Sequence, residues 1–148
     1  MDVQFVPLTG DHIVHLQSWY REDDCEKHLG GWDYIKNLMD LQQRFPNRHC
    51  FVALHGNVPR GIVDLEVNDD GTAWMSLFIE PSQRGQGLGK AVLKAFLRHP
   101  VVAGLRELKA EIEQDNVAST RCFETAGFEW REDPSTTEGY VLLVHEKA

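Results

Sequence analysis

The chain is 148 residues long, a length that suits one domain with a core of its own. Apolar residues make up 42 % and charged residues 26 %, ordinary globular usage that excludes a disordered or collagen-like chain. The formal net charge of −8 argues against a nucleic-acid partner and leaves solubility, or steering of a cationic substrate, as its use.

Val3 to Pro7 reads as a short extended run, and Thr9-Gly10-Asp11 as a turn that caps a helix. Ile13, Leu16, Trp19 and Tyr20 then recur at helical spacing. Arg21 to Asp24 is a polar break and Gly30-Gly31 a second one. Trp32 to Gln43 is expected to be helical, with Leu38 and Met39 turned inward. His49 to His55 reads as a strand, Gly56 to Pro59 as a turn, and Gly61 to Asn68 as a strand with Ile62 or Val63 toward the core. Asp69-Asp70-Gly71 is a hairpin signal before a strand from Thr72 to Ile79.

A glycine-rich loop follows, from Arg84 to Lys90, and leads into an amphipathic helix from Leu88 to Arg98 that Pro100 ends. Leu105 to Ile112 holds another strand, and Asn116 to Ala126 a helix closed by Gly127. Phe128 to Asp133 and Tyr140 to His145 are the final strands. The order is mixed α/β in a single domain, 1–148, with antiparallel strands first and strand–helix units later.

Cys25, Cys50 and Cys122 are an odd, widely spaced set that fits neither a disulfide framework nor a zinc site. His12 and His15 share a helix face without an evident third ligand, so no metal is expected. The first ten residues lack the basic-then-apolar order of a signal peptide, and no apolar run approaches ~18 residues. A cytoplasmic protein without membrane contact is the expectation.

Arg84-Gly85-Gln86-Gly87-Leu88-Gly89 lies between a strand and a helix. Glycines at a helix start let a ligand approach the backbone, and the free N–H groups with the positive end of the helix dipole favour an anion such as a pyrophosphate. Lys90 adds a cation. A P-loop would need glycine where Arg84 stands and Ser or Thr where Ala91 stands. A dinucleotide fingerprint would need glycine in place of Lys90. Arg84, Gly87 and Gly89 instead satisfy [QR]-x-x-G-x-[GA]. One strand later, Asn116, Ser119, Phe123, Gly127 and Phe128 fit N-x-x-[AS]-x-x-x-[YF]-x-x-x-G-F.

These two motifs, in this order, resemble those of the GNAT superfamily of N-acetyltransferases. The helix bearing Leu16 and Trp19, the Gly30-Gly31-Trp32 segment and Arg121 to Glu124 are similar to aminoglycoside 6′-N-acetyltransferases and their chromosomal relatives. The resemblance implies a twisted, mostly antiparallel sheet of about seven strands, splayed in the middle, flanked by about four helices. It implies acetyl-CoA as cosubstrate, its pantetheine arm along Leu77, Phe78 and Ile79 and its pyrophosphate on the backbone of Gly85, Gln86, Gly87, Leu88, Gly89 and Lys90 beside Arg84. Asn116, Ser119 and Phe123 would border the arm. A homodimer is a common arrangement in the family.

The implied reaction is direct transfer of acetyl to a primary amine in a ternary complex, with aminoglycosides or polyamines as acceptors. A peptide or protein N-terminus is an alternative acceptor, and a non-catalytic acyl-CoA-binding module an alternative role. Acyl transfer needs a neutral amine, a group to take its proton and a donor for the leaving thiolate. Glu111, five residues before Asn116 on the strand bordering the splay, is the candidate base, with Asp64 and Glu66 in reserve. Members of the family often place a tyrosine where this chain has Phe123, so the general acid is open. Asp23, Asp24 and Trp32, with Glu111, are the expected acceptor contacts.

Overall fold

The structure is a computed structural model that describes residues 2–19 and 32–146. Asp23 and Asp24 lie outside the described residues; Trp32 opens a helix, but its side chain also lies outside them.

The described strands are β1 (Gln4–Pro7), β2 (Arg48–His55), β3 (Val58–Val67), β4 (Thr72–Ile79), β5 (Glu107–Glu113), β6 (Glu129–Arg131) and β7 (Tyr140–Glu146). They form one sheet in the order β1-β2-β3-β4-β5-β7-β6, antiparallel except for the parallel pair β4–β5. The described helices are α1 (Ile13–Trp19), α2 (Trp32–Arg44), α3 (Leu88–Phe96) and α4 (Val117–Thr125). This is the mixed α/β sheet that the motifs imply.

Local chemistry accounts for the joints. Gly56 and Asn57 both have left-handed backbone (φ 60° and 63°), the combination a two-residue hairpin turn requires. The turn is thus shorter than the expected Gly56–Pro59, and β3 starts at Val58 rather than Gly61. Pro59 is accommodated where the β2–β3 register shifts, between Ala53 and Leu54. At the β3–β4 turn, Asp70 Oδ1 accepts from Thr72 N at 3.0 Å and Thr72 Oγ1 at 2.6 Å. These two bonds favour the carboxylate and hold its pKa below the ordinary value. Helix α3 ends at Phe96, earlier than the expected Arg98, because the chain tightens into i→i+3 bonds from Arg98 N to Ala95 O and His99 N to Phe96 O.

The sheet is covered on both faces. Val63, Leu65, Met75, Leu108 and Leu143 pack beneath Leu88, Val92, Phe96 and Phe123 of α3 and α4. Val52, Ile62 and Phe78 pack beneath Leu16, Trp19 and Leu38 of α1 and α2. Ile62 and Val63 are therefore both buried, on opposite faces, where strand alternation alone calls for one.

Candidate active site

The β4–β5 ladder pairs Thr72 with Glu107, Ala73 with Leu108 and Trp74 with Lys109, and pairing ends there. Beyond it, Met75–Ile79 and residues 110–113 border a cavity of about 540 Å³. Its rim includes Arg84, Gly85, Gly87, Gly89 and Lys90 from the loop and α3, Asn116, Ser119, Cys122 and Phe123 from α4, and Tyr140 from β7.

The loop is built from short-range bonds. After Ile79 the chain makes a 3₁₀ turn over Pro81–Gln83, with Arg84 N bonded to Pro81 O. Arg84 folds back, donating from Nε to Ile79 O at 3.2 Å, with its guanidinium 5.0 Å from the Phe78 ring centroid. Gly85 and Gly87 have φ of 78° and 80°, and a Cβ on either would meet nothing within 4 Å. Gly87 is the N-cap of α3; no side chain caps it, the first turn holds no acid, and Lys90 stands in that turn. An uncapped helix N-terminus behind glycines with open space before them fits the phosphates of acetyl-CoA.

Gly89 has a second duty. A Cβ there would lie 3.1 Å from Cys122 Sγ and 3.6 Å from Ile79 Cγ1, so its bare backbone lets α3 close onto α4 and the end of β4. Leu88 is buried in the core, and neither it nor exposed Gln86 lines the cavity, so any contact with a phosphate would come from their backbone. Asn116 Oδ1 caps α4 by accepting from Ser119 N at 3.2 Å. Phe123 is buried edge-on to Phe128, ring centroids 4.9 Å apart, and brings no proton to the cavity. Burial pushes the neighbouring Cys122 thiol up, against the pull of Lys90, and keeps it protonated.

A second hollow of about 230 Å³ is lined by Arg48, Asp64, Glu66 and Trp74, together with Met75, Ser76 and Glu111, which also line the larger cavity. Arg48 Nη2 lies 3.1 Å from Asp64 Oδ2 and Arg48 Nη1 2.9 Å from Glu66 Oε2. Burial raises the Asp64 carboxyl, and the Arg48 guanidinium opposes the rise. The two reserve carboxylates are thus held together by one arginine. Glu111 stands at the seam of the two spaces, its carboxylate accepting from Thr137 N at 2.8 Å and Thr137 Oγ1 at 2.9 Å.

The structure brings Leu77, Phe78, Ile79, Arg84, Gly85, Gly87, Gly89, Lys90, Asn116, Ser119 and Phe123 to one cavity, with Glu111 on its wall. Arg48, Trp74, Ser76, Thr137 and Tyr140 were not singled out by the sequence. For Trp74 and Ser76 the signal was period-2 alternation toward Phe78 on β4; the pairing of Arg48 with Glu66 across β2–β3 carries no local signal.

A sheet that parts at its one parallel joint, with a glycine loop and an uncapped helix facing the gap, defines an acetyltransferase that uses acetyl-CoA. A family model described as the Acetyltransferase (GNAT) family matches residues 13–128, and the chain belongs to that family. It is 26 % identical over 141 residues to an uncharacterized N-acetyltransferase, YfmK, of Bacillus subtilis (strain 168), covering 95 % of each chain. Its fold is similar to that of the aminoglycoside acetyltransferase AAC(6')-Ib in complex with ribostamycin and coenzyme A, at TM-score 0.83 and 19 % identity, covering 99 % of this chain and 94 % of that one. It is also similar to a SpeG spermidine N-acetyltransferase chimera from Vibrio cholerae and hSSAT, at TM-score 0.78 and 15 % identity, covering 99 % and 96 %. Among the described residues no helix is long and apolar enough to cross a membrane, and no group of three or more His, Cys, Asp or Glu could hold a metal.

Proposed function

We propose that the protein acetylates the primary amine of a small cationic molecule, of the polyamine or aminoglycoside kind. The observation that carries this reading is the carboxylate-lined hollow that meets the acetyl-CoA cavity at Met75, Ser76 and Glu111. Three carboxylates line that hollow against the Arg48 guanidinium, and Lys109 Nζ, 4.5 Å from the Trp74 ring centroid, is a second cation beside it, so an excess of one negative charge remains to favour an ammonium. A spermidine N-acetyltransferase and an aminoglycoside acetyltransferase among the structural relatives support the same class.

Acetyl-CoA, when bound, supplies the acetyl group as an activated thioester. The N–H groups of the α3 N-terminus, with Lys90 and Arg84, would hold its phosphates. Glu111 receives the ammonium of the acceptor and takes a proton from its nitrogen onto a carboxylate oxygen, leaving a neutral amine. Asp64 and Glu66, tied to Arg48, hold the remaining positive charge of the acceptor rather than act as bases. With Phe123 lacking a hydroxyl, Tyr140, among the described residues that line the cavity, would be the proton donor for the leaving thiolate.

The test is acetyl-CoA-dependent thiol release with polyamines, aminoglycosides, amino acids and short peptides as acceptors. Release with polyamines or aminoglycosides well above the other two classes is expected. Release confined to peptides, or none while acetyl-CoA binding is confirmed in the same sample, would overturn the reading.

A further inference from the structure

Resting on Glu111 as the group that receives the amine, we propose that Thr137 is a positioning residue that holds the Glu111 carboxylate at the seam between the acetyl-CoA cavity and the acidic hollow. The two residues are 26 apart in sequence, one on β5 and the other in the segment joining β6 to β7. Thr137 gives two donors to one carboxylate: its backbone N–H reaches Oε2 at 2.8 Å and its hydroxyl reaches Oε1 at 2.9 Å. An ionised carboxylate only accepts, so the hydroxyl proton points at Glu111, and both bonds are charge-assisted. The fork fixes the carboxylate plane as well as its place. Each oxygen keeps a further lone pair, so the clamp leaves room for an ammonium.

Thr137 is itself anchored. Its carbonyl accepts from Tyr140 N at 3.0 Å, and the Gly139 carbonyl accepts from Gln114 N at 2.9 Å, so the segment is tied to the start of β7 and to the residue that follows β5. The clamp has something to resist. Glu111 also lines the hollow that holds Arg48, a cation already drawing in Asp64 and Glu66. A glutamate released from Thr137 can turn toward that guanidinium and leave the seam without its base. Holding a reacting group within a fraction of an ångström is where positioning acts on rate.

The experiment is a kinetic cycle with Thr137→Val, Thr137→Ser, Glu111→Gln and the double variant Thr137→Val/Glu111→Gln, each checked for its unfolding temperature. Valine keeps the backbone N–H and the shape but removes the hydroxyl; serine keeps both donors. Expected for Thr137→Val is a fall in kcat of roughly tenfold, an unchanged KM for acetyl-CoA, recovery of most of the rate in Thr137→Ser, and no further loss in the Glu111→Gln background. An equal fall in both backgrounds, or no fall in the Thr137→Val single variant while Glu111→Gln is slow, overturns the proposal and makes the contact a loop staple. A Glu111→Gln variant with full kcat would instead overturn the base assignment beneath it, and the proposal with it.

Discussion

Replacing Gly89 with alanine sets two effects of known sign against each other. Gly89 lies in the first turn of α3 with an ordinary helical backbone, so alanine gains about 0.8–1.0 kcal/mol of helix propensity. Its Cβ would arrive 3.1 Å from Cys122 Sγ and 3.6 Å from Ile79 Cγ1. Overpacking of that kind costs about 1–3 kcal/mol. The balance is a destabilisation of about 1 kcal/mol, which in a domain of this length lowers Tm by roughly 2–4 °C. Relief by shifting α3 would move the N-terminus of the helix relative to the end of β4, so KM for acetyl-CoA rises while KM for the amine stays. Cys122→Ala removes the sulfur that alanine meets, and the pair should couple by about 1 kcal/mol. Thermal unfolding of the wild type, both single variants and the double variant gives the coupling directly, and thiol-release kinetics gives the two KM values. A Tm for Gly89→Ala above that of the wild type, or strict additivity with Cys122→Ala, would refute the close contact as the reason for this glycine.

Gly87→Ala differs, because open space surrounds the site and the penalty is the backbone: about 1–2 kcal/mol for alanine in the left-handed region. Its methyl group would also stand in the open space proposed for the phosphates, so titration calorimetry should show acetyl-CoA affinity down at least about tenfold, a further cost of ~1.4 kcal/mol. His99 supplies a pH test: burial holds its folded pKa below 6.5, and its Nδ1 accepts from Val101 N. The folded state therefore binds fewer protons than the unfolded one below that pH, and stability present above it is lost as pH falls toward the folded pKa. Tm of the wild type should fall from about pH 7.5 to about pH 5.5 more steeply than that of His99→Leu, and parallel curves would contradict it. Arg48→Met strands Asp64 and Glu66 together; the cost is expected at about 1–3 kcal/mol, below that of a fully buried pair, with part of the lost Tm regained by Asp64→Asn in the same chain.

What the sequence disclosed was what local rules govern. The Arg84–Gly89 loop, the helix from Asn116 and the Asp70 turn depend on residues within a few positions of one another, and each was legible. The strand interiors were legible as strands but not as faces, because Ile62 and Val63 are both apolar and both buried. The acidic hollow was not legible as a unit: its members come from β2, β3, β4 and β5, and they meet only through a register set by a two-residue turn and a shift opposite Pro59. Thr137 was the least visible, a polar residue in an aperiodic segment whose partner sits on another strand. Glu111 was legible as a candidate from its place before Asn116, yet its hydrogen-bond partner was not, since nothing in its neighbourhood along β5 names Thr137.

The short β4–β5 ladder has a bearing on solubility. A strand that stops pairing normally does so at the perimeter of a sheet, where its backbone can recruit another molecule and start an aggregate. Here the abandoned stretch, Met75 to Ile79, lies in the interior of a seven-stranded sheet, with β3 on one side and the wall of residues 110–113 facing it across the gap. A foreign strand would have to enter a slot whose neighbours are already in place, whereas a slender, flexible chain with amide groups can slide in lengthwise. The fold thereby keeps a reactive edge on offer to a small molecule while withholding it from other proteins.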